Sequence, residues 1–296
     1  ISDNNTRFTY NLAGQPKTGG SVEASGETRT PAAASSQAST TTDLRIQANQ
    51  LSVATLTHLA GLSDQVAVKR GKLNSNLAIQ VQPQQKTPTF NGVVQVQNVN
   101  LETAQLPQPI AINQGSFKLQ NNRVTVSKIQ GAYGRIPASV SGEVDLEQGF
   151  NLTAKTGPVS LATLTKTLNL KSPVPVAGEL QTSLNLTGPL KQPVLSGSTR
   201  STKPGLVDRV ALSQYGADFR FDTANRTLVL SQVQATPTVG GQIQGAGRIK
   251  LGPKPKDTQV ALILDGQDLP VDALARPYNQ GRPLPITVGP VPRQTP

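Results

Sequence analysis

The sequence predicts an all-β fold with short helices: an elongated, repetitive antiparallel sheet with one apolar face. Three observations carry this prediction. Apolar and polar residues alternate with a period of two along most of the chain, the mark of half-buried strands. A short phrase recurs, so the unit is repeated and stacks on its neighbours. Hydrophobic residues make up only 35% of the 296 residues and aromatics 3%, with no Trp and no Met. Such a chain cannot fill a thick interior, yet its apolar residues are ordered, so a thin layer fits better than disorder.

The phrase sets the organisation. Leu51-Ser52-Val53-Ala54-Thr55-Leu56 returns as Val159-Ser160-Leu161-Ala162-Thr163-Leu164, and degraded as Leu269-Pro270-Val271-Asp272-Ala273-Leu274. The segments between also align. Gly71-Lys72-Leu73 matches Gly178-Glu179-Leu180, and Ser141-Gly142-Glu143-Val144-Asp145-Leu146 matches Ala246-Gly247-Arg248-Ile249-Lys250-Leu251. Residues 51–158 and 159–268 are therefore read as two β repeat units. Residues 1–50 hold the end of a preceding repeat with a low-complexity loop at 30–42, and 269–296 begin a further repeat and run into a Pro-rich tail.

Strands follow from the alternation. Leu73, Leu77, Ile79 and Val81 share one phase, with Asn74, Asn76, Gln80 and Gln82 on the other. Val94 and Val96, Phe117 and Leu119, and Val124 and Val126 continue the pattern, followed by Ile136, Val140, Val144 and Leu146. In the second unit come Leu180, Leu184 and Leu186, then Phe219 and Phe221, Leu228 and Leu230, Ile249 and Leu251, and Leu262 and Leu264. Asn121-Asn122 and Thr223-Ala224-Asn225 read as hairpin connections. Gly131, Gly134, Gly240, Gly241, Gly245 and Gly247 read as bends or bulges. The expected result is an antiparallel meander of strands about 6–9 residues long, with about seven strands per repeat.

The phrase itself breaks the alternation. Its apolar residues are spaced by three and four, which predicts short amphipathic helices at about 52–61 and from Leu161, with Ser160 as N-cap, and a third capped by Asp272 and stopped by Pro277.

Catalytic chemistry is missing. With no Cys, a disulfide framework, a thiolate metal site and thiol catalysis are excluded. His58 is the only histidine and has no ligand partner in sequence. Glu143, Asp145 and Glu147 read as solvated carboxylates on one strand. The Gly241–Gly247 run lacks a P-loop Lys-Ser/Thr. No enzyme activity, catalytic residue, metal or cofactor is expected. The net charge of +11 is dispersed. It reads first as a solvated surface and next as attraction to lipid phosphate. Few aromatics are available for base stacking, so no nucleic-acid partner is expected. The absence of an initiating Met and of an apolar run near 18 residues reads as a piece of a longer protein, with either a membrane anchor or a signal outside it.

Several elements together resemble the AsmA-like/TamB family of envelope proteins. They are the long β repeat, the Gly-x-Leu strand starts, the phrase Gly115-Ser116-Phe117-Lys118-Leu119-Gln120-Asn121-Asn122-Arg123-Val124, and above all Leu184-Asn185-Leu186-Thr187-Gly188-Pro189-Leu190-Lys191-Gln192-Pro193-Val194-Leu195-Ser196-Gly197. The Gln-rich, aromatic-poor composition is similar to a cyanobacterial member, related to the chloroplast inner-envelope relative of TamB. The resemblance implies a sheet curled into an open trough, the β-taco, with an apolar interior. It also implies an inner-membrane anchor, a path across the periplasm and phospholipid transport to the outer membrane, with an Omp85-type partner linked to outer-membrane protein assembly. The apolar phase named above, Leu77 through Leu264 but without Ile136 and Leu180, would then line a groove for phospholipid acyl chains. Leu56, Leu164 and Leu274 of the short helices would cover it at intervals. Two other expectations stand beside this one: a scaffold that hands β-strands to an outer-membrane insertase, and a passive structural solenoid.

Overall fold

A computed structural model describes residues 7–30, 40–55, 66–82, 88–103, 106–170, 172, 174–252 and 257–279. They fall into two compact units, residues 1–134 with 139–152 and residues 135–138 with 153–296. The fold is antiparallel β with a few short helices, and strand order follows chain order. The first unit holds β1 (Arg7–Gly14), β2 (Ser21–Arg29), β3 (Thr41–Ser52), β4 (Val66–Val81), β5 (Thr89–Thr103), β6 (Ile110–Asn121) and β7 (Arg123–Tyr133). The division passes through β8 (Ile136–Asp145) and β9 (Gly149–Thr156). The second unit continues with β10 (Val159–Ser160), α1 (Leu161–Thr167), β11 (Val176–Gly188), β12 (Val194–Val207), β13 (Val210–Asp222), β14 (Thr227–Pro237), β15 (Gln242–Lys250), β16 (Gln259–Gln267) and α2 (Val271–Ala275). Among the described residues β1 pairs with β2 alone and β16 with β15 alone, so the one sheet does not close into a barrel.

The alternation does what period-two sequence does on a pleated strand. β15, Gln-Ile-Gln-Gly-Ala-Gly-Arg-Ile-Lys, alternates exposed and half-buried residues along its whole length. Several details differ from the sequence reading. Strands run longer than expected, to 16 residues in β4 and 15 in β5, because alternation continues through internal bulges. Six long strands, not about seven, follow each of the first two phrases: β4–β9 and then β11–β16. Thr41 and Thr42 belong to β3 rather than to the low-complexity loop, whose residues 31–39 lie outside the described residues. So do the tail from 280 and most of the first predicted helix, of which only residues 53–55 are described as helical.

Four strands carry a device that simple alternation hides. Gln50, Asn98, Lys128 and Gln232 have φ of 49°, 50°, 51° and 49°. Each follows a polar residue in an apolar–polar–polar–apolar run: Ala48 to Leu51, Val96 to Val99, Val126 to Ile129 and Leu230 to Val233. One extra residue in the left-handed region shifts the register, so residues three apart face the same side. Asn74 holds the first of these bulges: its Oδ1 accepts from the Gln50 backbone N–H at 2.7 Å.

Two glycines allow a close backbone approach. A Cβ on Gly92 would stand 2.0 Å from the Asn76 carbonyl oxygen, and one on Gly197 would stand 2.0 Å from that of Ser183. Gly92 lies opposite Leu77 and Gly197 opposite Leu184, the same place in each repeat. No side chain fits there without moving the neighbouring strand.

Helix α1 begins as the sequence predicts. Ser160 is extended (φ −66°, ψ 144°), and its Oγ accepts from the Thr163 N–H at 3.1 Å. For α2 the expected cap is wrong. Pro270 occupies the N-cap with no side-chain cap bond, and Asp272 sits inside the first turn, where its carboxylate meets Arg276 at 3.4 Å.

Candidate functional site: an apolar sheet face

Residues directly opposite in an antiparallel pair share a face, so register decides what each face carries. In the first unit one row across the strands reads Leu12, Ala24, Ile46, Leu77, Gly92, Leu119 and Val124. The next row toward the hairpin ends reads Tyr10, Gly26, Leu44, Ile79 and Phe90. The next row the other way reads Val22, Ala48, Ser75, Val94, Phe117 and Val126. No charged side chain occurs in these rows. The opposite face carries Asn11, Ser25, Arg45, Ala78, Asn91, Gln120 and Arg123 along one matching row. Two shallow depressions, of about 610 Å³ and 520 Å³, lie on this polar face around Asp43, Arg45, Gln47, Asn76 and Asn91.

Burial on the apolar face is graded along the strands. At the phrase end, Leu51, Leu73 and Val96 are 3%, 4% and 9% exposed and form a core with Ala48 and Val99. Apart from Leu12 in the edge strand, which is 67% exposed, the rows through Leu77 and Ile79 are half-buried. At the far end Val81 is 42% exposed, beside Thr28 and Thr42, whose hydroxyls bond to each other at 3.0 Å. The second unit repeats the gradient. Val159, opposite Leu180, is 4% exposed. The outer rows are Leu184, Gly197, Phe219, Leu230, Gly247 and Leu262, then Leu186, Leu195, Phe221, Leu228, Ile249 and Val260. They are half-buried until β16, where Leu262 and Leu264 are 50% and 51% exposed.

Register therefore brings most of the sequence-predicted residues onto one face within each unit. Val140 and Val144 are half-buried in β8. Leu146 and Leu251 are exceptions: each lies beyond its strand, 57% and 36% exposed, and caps a hairpin end by donating its N–H to Asn122 O or Arg226 O. Glu147 also falls in the turn after β8 and not on a strand. Leu164 is half-buried in α1 and Leu274 in α2. Leu56 and His58 lie outside the described residues. Sequence reasoning missed Leu12, Leu44, Ile46, Phe90, Leu195 and Val260. Leu44 and Ile46 were legible, since they alternate with Arg45 and Gln47.

Charges are confined to the other face and to the turns. Arg29 and Arg7 hold the Glu27 carboxyl below its ordinary value, Arg29 chiefly. The Asp145 carboxylate is also held low, chiefly by the Glu147 and then the Gln148 backbone N–H. Asp222 is held low mainly by the Asn225 N–H, in the matching turn of the second unit. Among the described residues no group of three His, Cys, Asp or Glu is placed to hold a metal ion, and no helix is long and apolar enough to cross a membrane.

The fold and face define a class: open antiparallel β-repeat proteins with one uncharged apolar face. Within it the chain is 26% identical over 205 residues to Protein TIC236, chloroplastic, of Arabidopsis thaliana, covering 59% of this chain and 10% of that protein. It is 24% identical over 235 residues to Protein SUBSTANDARD STARCH GRAIN 4, chloroplastic, of Oryza sativa subsp. japonica, covering 68% of this chain and 11% of that protein. The chain spans about a tenth of the length of these curated relatives. No family model matches, and no solved structure matches. The two likenesses support the AsmA-like/TamB resemblance at the level of the family and do not single out a cyanobacterial member.

Proposed function

We propose that this segment is part of a TamB-like bridge in a cell envelope, and that its apolar face shields lipid acyl chains as phospholipid passes between two membranes. One observation carries the reading: the uncharged row through Leu77 continues from β2 to β7 while every residue in it stays half-buried. A dry core would bury them, and a solvated sheet would break them with charge. Exposing an acyl chain to water costs about 0.8 kcal/mol per CH₂, or about 12 kcal/mol for a sixteen-carbon tail. A face of Leu, Val, Ile and Phe removes most of that cost without chemistry. The six strand spacings from β1 to β7 span about 29 Å along the sheet, against about 15 Å for the hydrocarbon of one leaflet. One such row is long enough for an acyl chain lying across the strands.

In this reading the protein is anchored in the inner membrane outside this segment, lies in the periplasm or its organellar equivalent, and meets an Omp85-type partner at the outer membrane. It acts without a cofactor and is no enzyme. The test is native mass spectrometry of the purified chain for bound phospholipid. Bound lipid that is lost in Leu184→Asp and Phe219→Arg supports the function, and a lipid-free wild-type chain overturns it.

A further inference from the structure

The two repeats build the same corner with opposite charge. In the first unit the corner lies where the β6–β7 turn meets the end of β8. Arg123 reaches Glu143 at 3.6 Å and Asp145 at 3.7 Å. The Leu146 N–H closes the corner on Asn122 O at 2.8 Å. In the second unit the Leu251 N–H closes it on Arg226 O at 2.9 Å. There the residues aligned with Glu143 and Asp145 are Arg248 and Lys250. Arg226 loses both carboxylate partners and donates instead to the Gly252 carbonyl at 3.2 Å.

A fourth cation joins them. Arg220 stands opposite Val229, which stands opposite Arg248, so the two arginines share the polar face about 10 Å apart. Among the described residues none of Arg220, Arg226, Arg248 and Lys250 makes an ion pair. Two carboxylates are near. Asp222 stands two residues from Arg220 on the same face and in the row of Lys250. It keeps its charge: its oxygens accept from the Asn225 and Ala224 backbone N–H groups and from Asn225 Nδ2, and Arg220 also helps hold its carboxyl low. Asp257 lies at the foot of β16.

Four cations on this face outnumber the two carboxylates beside them, and an anion with several oxygens relieves the repulsion that remains. The cluster sits at the rim of the sheet. Arg220 adjoins Phe221, Arg248 and Lys250 flank Ile249, and Arg226 lies two residues from Leu228, so the cluster borders the outermost apolar row of the other face. We propose that this corner holds the phosphate of an anionic phospholipid headgroup while the tails lie over the rim on the apolar face. The assignment rests on the lipid reading above and adds headgroup selection to it. Nucleic acid fits less well, because β13–β15 present no aromatic side chain on the polar face for a base to stack on.

The test uses the 296-residue chain with vesicles of phosphatidylglycerol and of phosphatidylcholine. Arg248→Glu with Lys250→Asp installs the carboxylates of the first unit and returns to Arg226 its two partners. Arg248→Gln with Lys250→Gln removes charge without reversing it. The expected result is a loss of phosphatidylglycerol binding of about fivefold per charge removed, with phosphatidylcholine retention unchanged in both variants. Equal phosphatidylglycerol binding in wild type and variants overturns the headgroup site while leaving the acyl-chain function standing. A wild-type chain that retains neither lipid overturns both. Displacement of phosphatidylglycerol by equimolar inorganic phosphate assigns the corner to a soluble anion and overturns the headgroup site alone.

Discussion

Val159 lies directly opposite Leu180 where the two-residue β10 meets β11, and Leu51 lies directly opposite Leu73 in the matching place of the other unit. One residue on, Ser160 faces Glu179 and Ser52 faces Lys72. The recurring phrase is therefore a strand terminus that buries its first apolar residue and then turns into a helix. The driest part of each unit is there, and the apolar face becomes wetter with distance from it.

That gradient sets a mutational contrast. Leu51→Ala removes a fully packed side chain and is expected to cost about 2–4 kcal/mol. Leu264→Ala, at a residue 51% exposed, is expected to cost less than about 1 kcal/mol. Urea unfolding followed by circular dichroism measures both, and similar losses would contradict the gradient.

The close backbone approach makes a second contrast. Gly197→Ala places a methyl 2.0 Å from the Ser183 carbonyl oxygen, so β11 and β12 must separate locally. A drop of about 2 kcal/mol or more is expected. In Gly14→Ala the new methyl meets nothing nearer than Val22 Cγ1 at 3.7 Å, and little change is expected. Thermal melts of the two variants decide the matter.

Removing the cap of α1 tests the helix alone. Ser160→Ala deletes the acceptor of the Thr163 N–H, a change of about 1 kcal/mol. Faster amide exchange confined to residues 161–167 is the expected signature, with the β11 amides unaffected.

The Asp222 turn predicts a pH response. Its carboxylate is held below its ordinary value chiefly by the Asn225 N–H and also by the Ala224 N–H. A depressed carboxylate contributes stability that is present above its unfolded value and lost as pH falls through the folded value. The turn at 223–226 should therefore stay ordered through the ordinary aspartate range and loosen only in more acid solution. NMR titration of the Ala224 and Asn225 amides reads this directly. In Asp222→Asn the acid transition of both amides should vanish.

Much of this architecture was legible in sequence because period-two alternation and the pleat are the same geometry. Leu77, Phe219 and Ile249 could be assigned a face from their neighbours alone. Alternation cannot be followed through a bulge: Val99, Ile129 and Val233 fall out of phase with Val96, Val126 and Leu230, and only the left-handed residue between them restores the face. Strands consequently looked shorter than they are. The cationic corner was invisible for another reason. Arg220 and Arg248 are far apart in sequence, and only register across β13, β14 and β15 brings them together. The α2 cap misled because Asp at a helix start is as common within the first turn as before it.

The left-handed residues give these strands a parity. In β3 the face-bearing residues are even-numbered up to Ala48 and odd-numbered from Leu51, and Gln50 is where the count changes. In β14 the count changes at Gln232. Losing one residue from a hairpin turn shortens a loop and leaves both halves of a strand facing as before. Losing Gln232 turns the far half of β14 over, sending Val233 and Ala235 to the polar face and Gln234 onto the apolar one; losing Gln50 does the same to Leu51 at the end of β3. A length-neutral exchange, one residue dropped at the bulge and one added in the next turn, would keep the composition intact and still cut the apolar track in two.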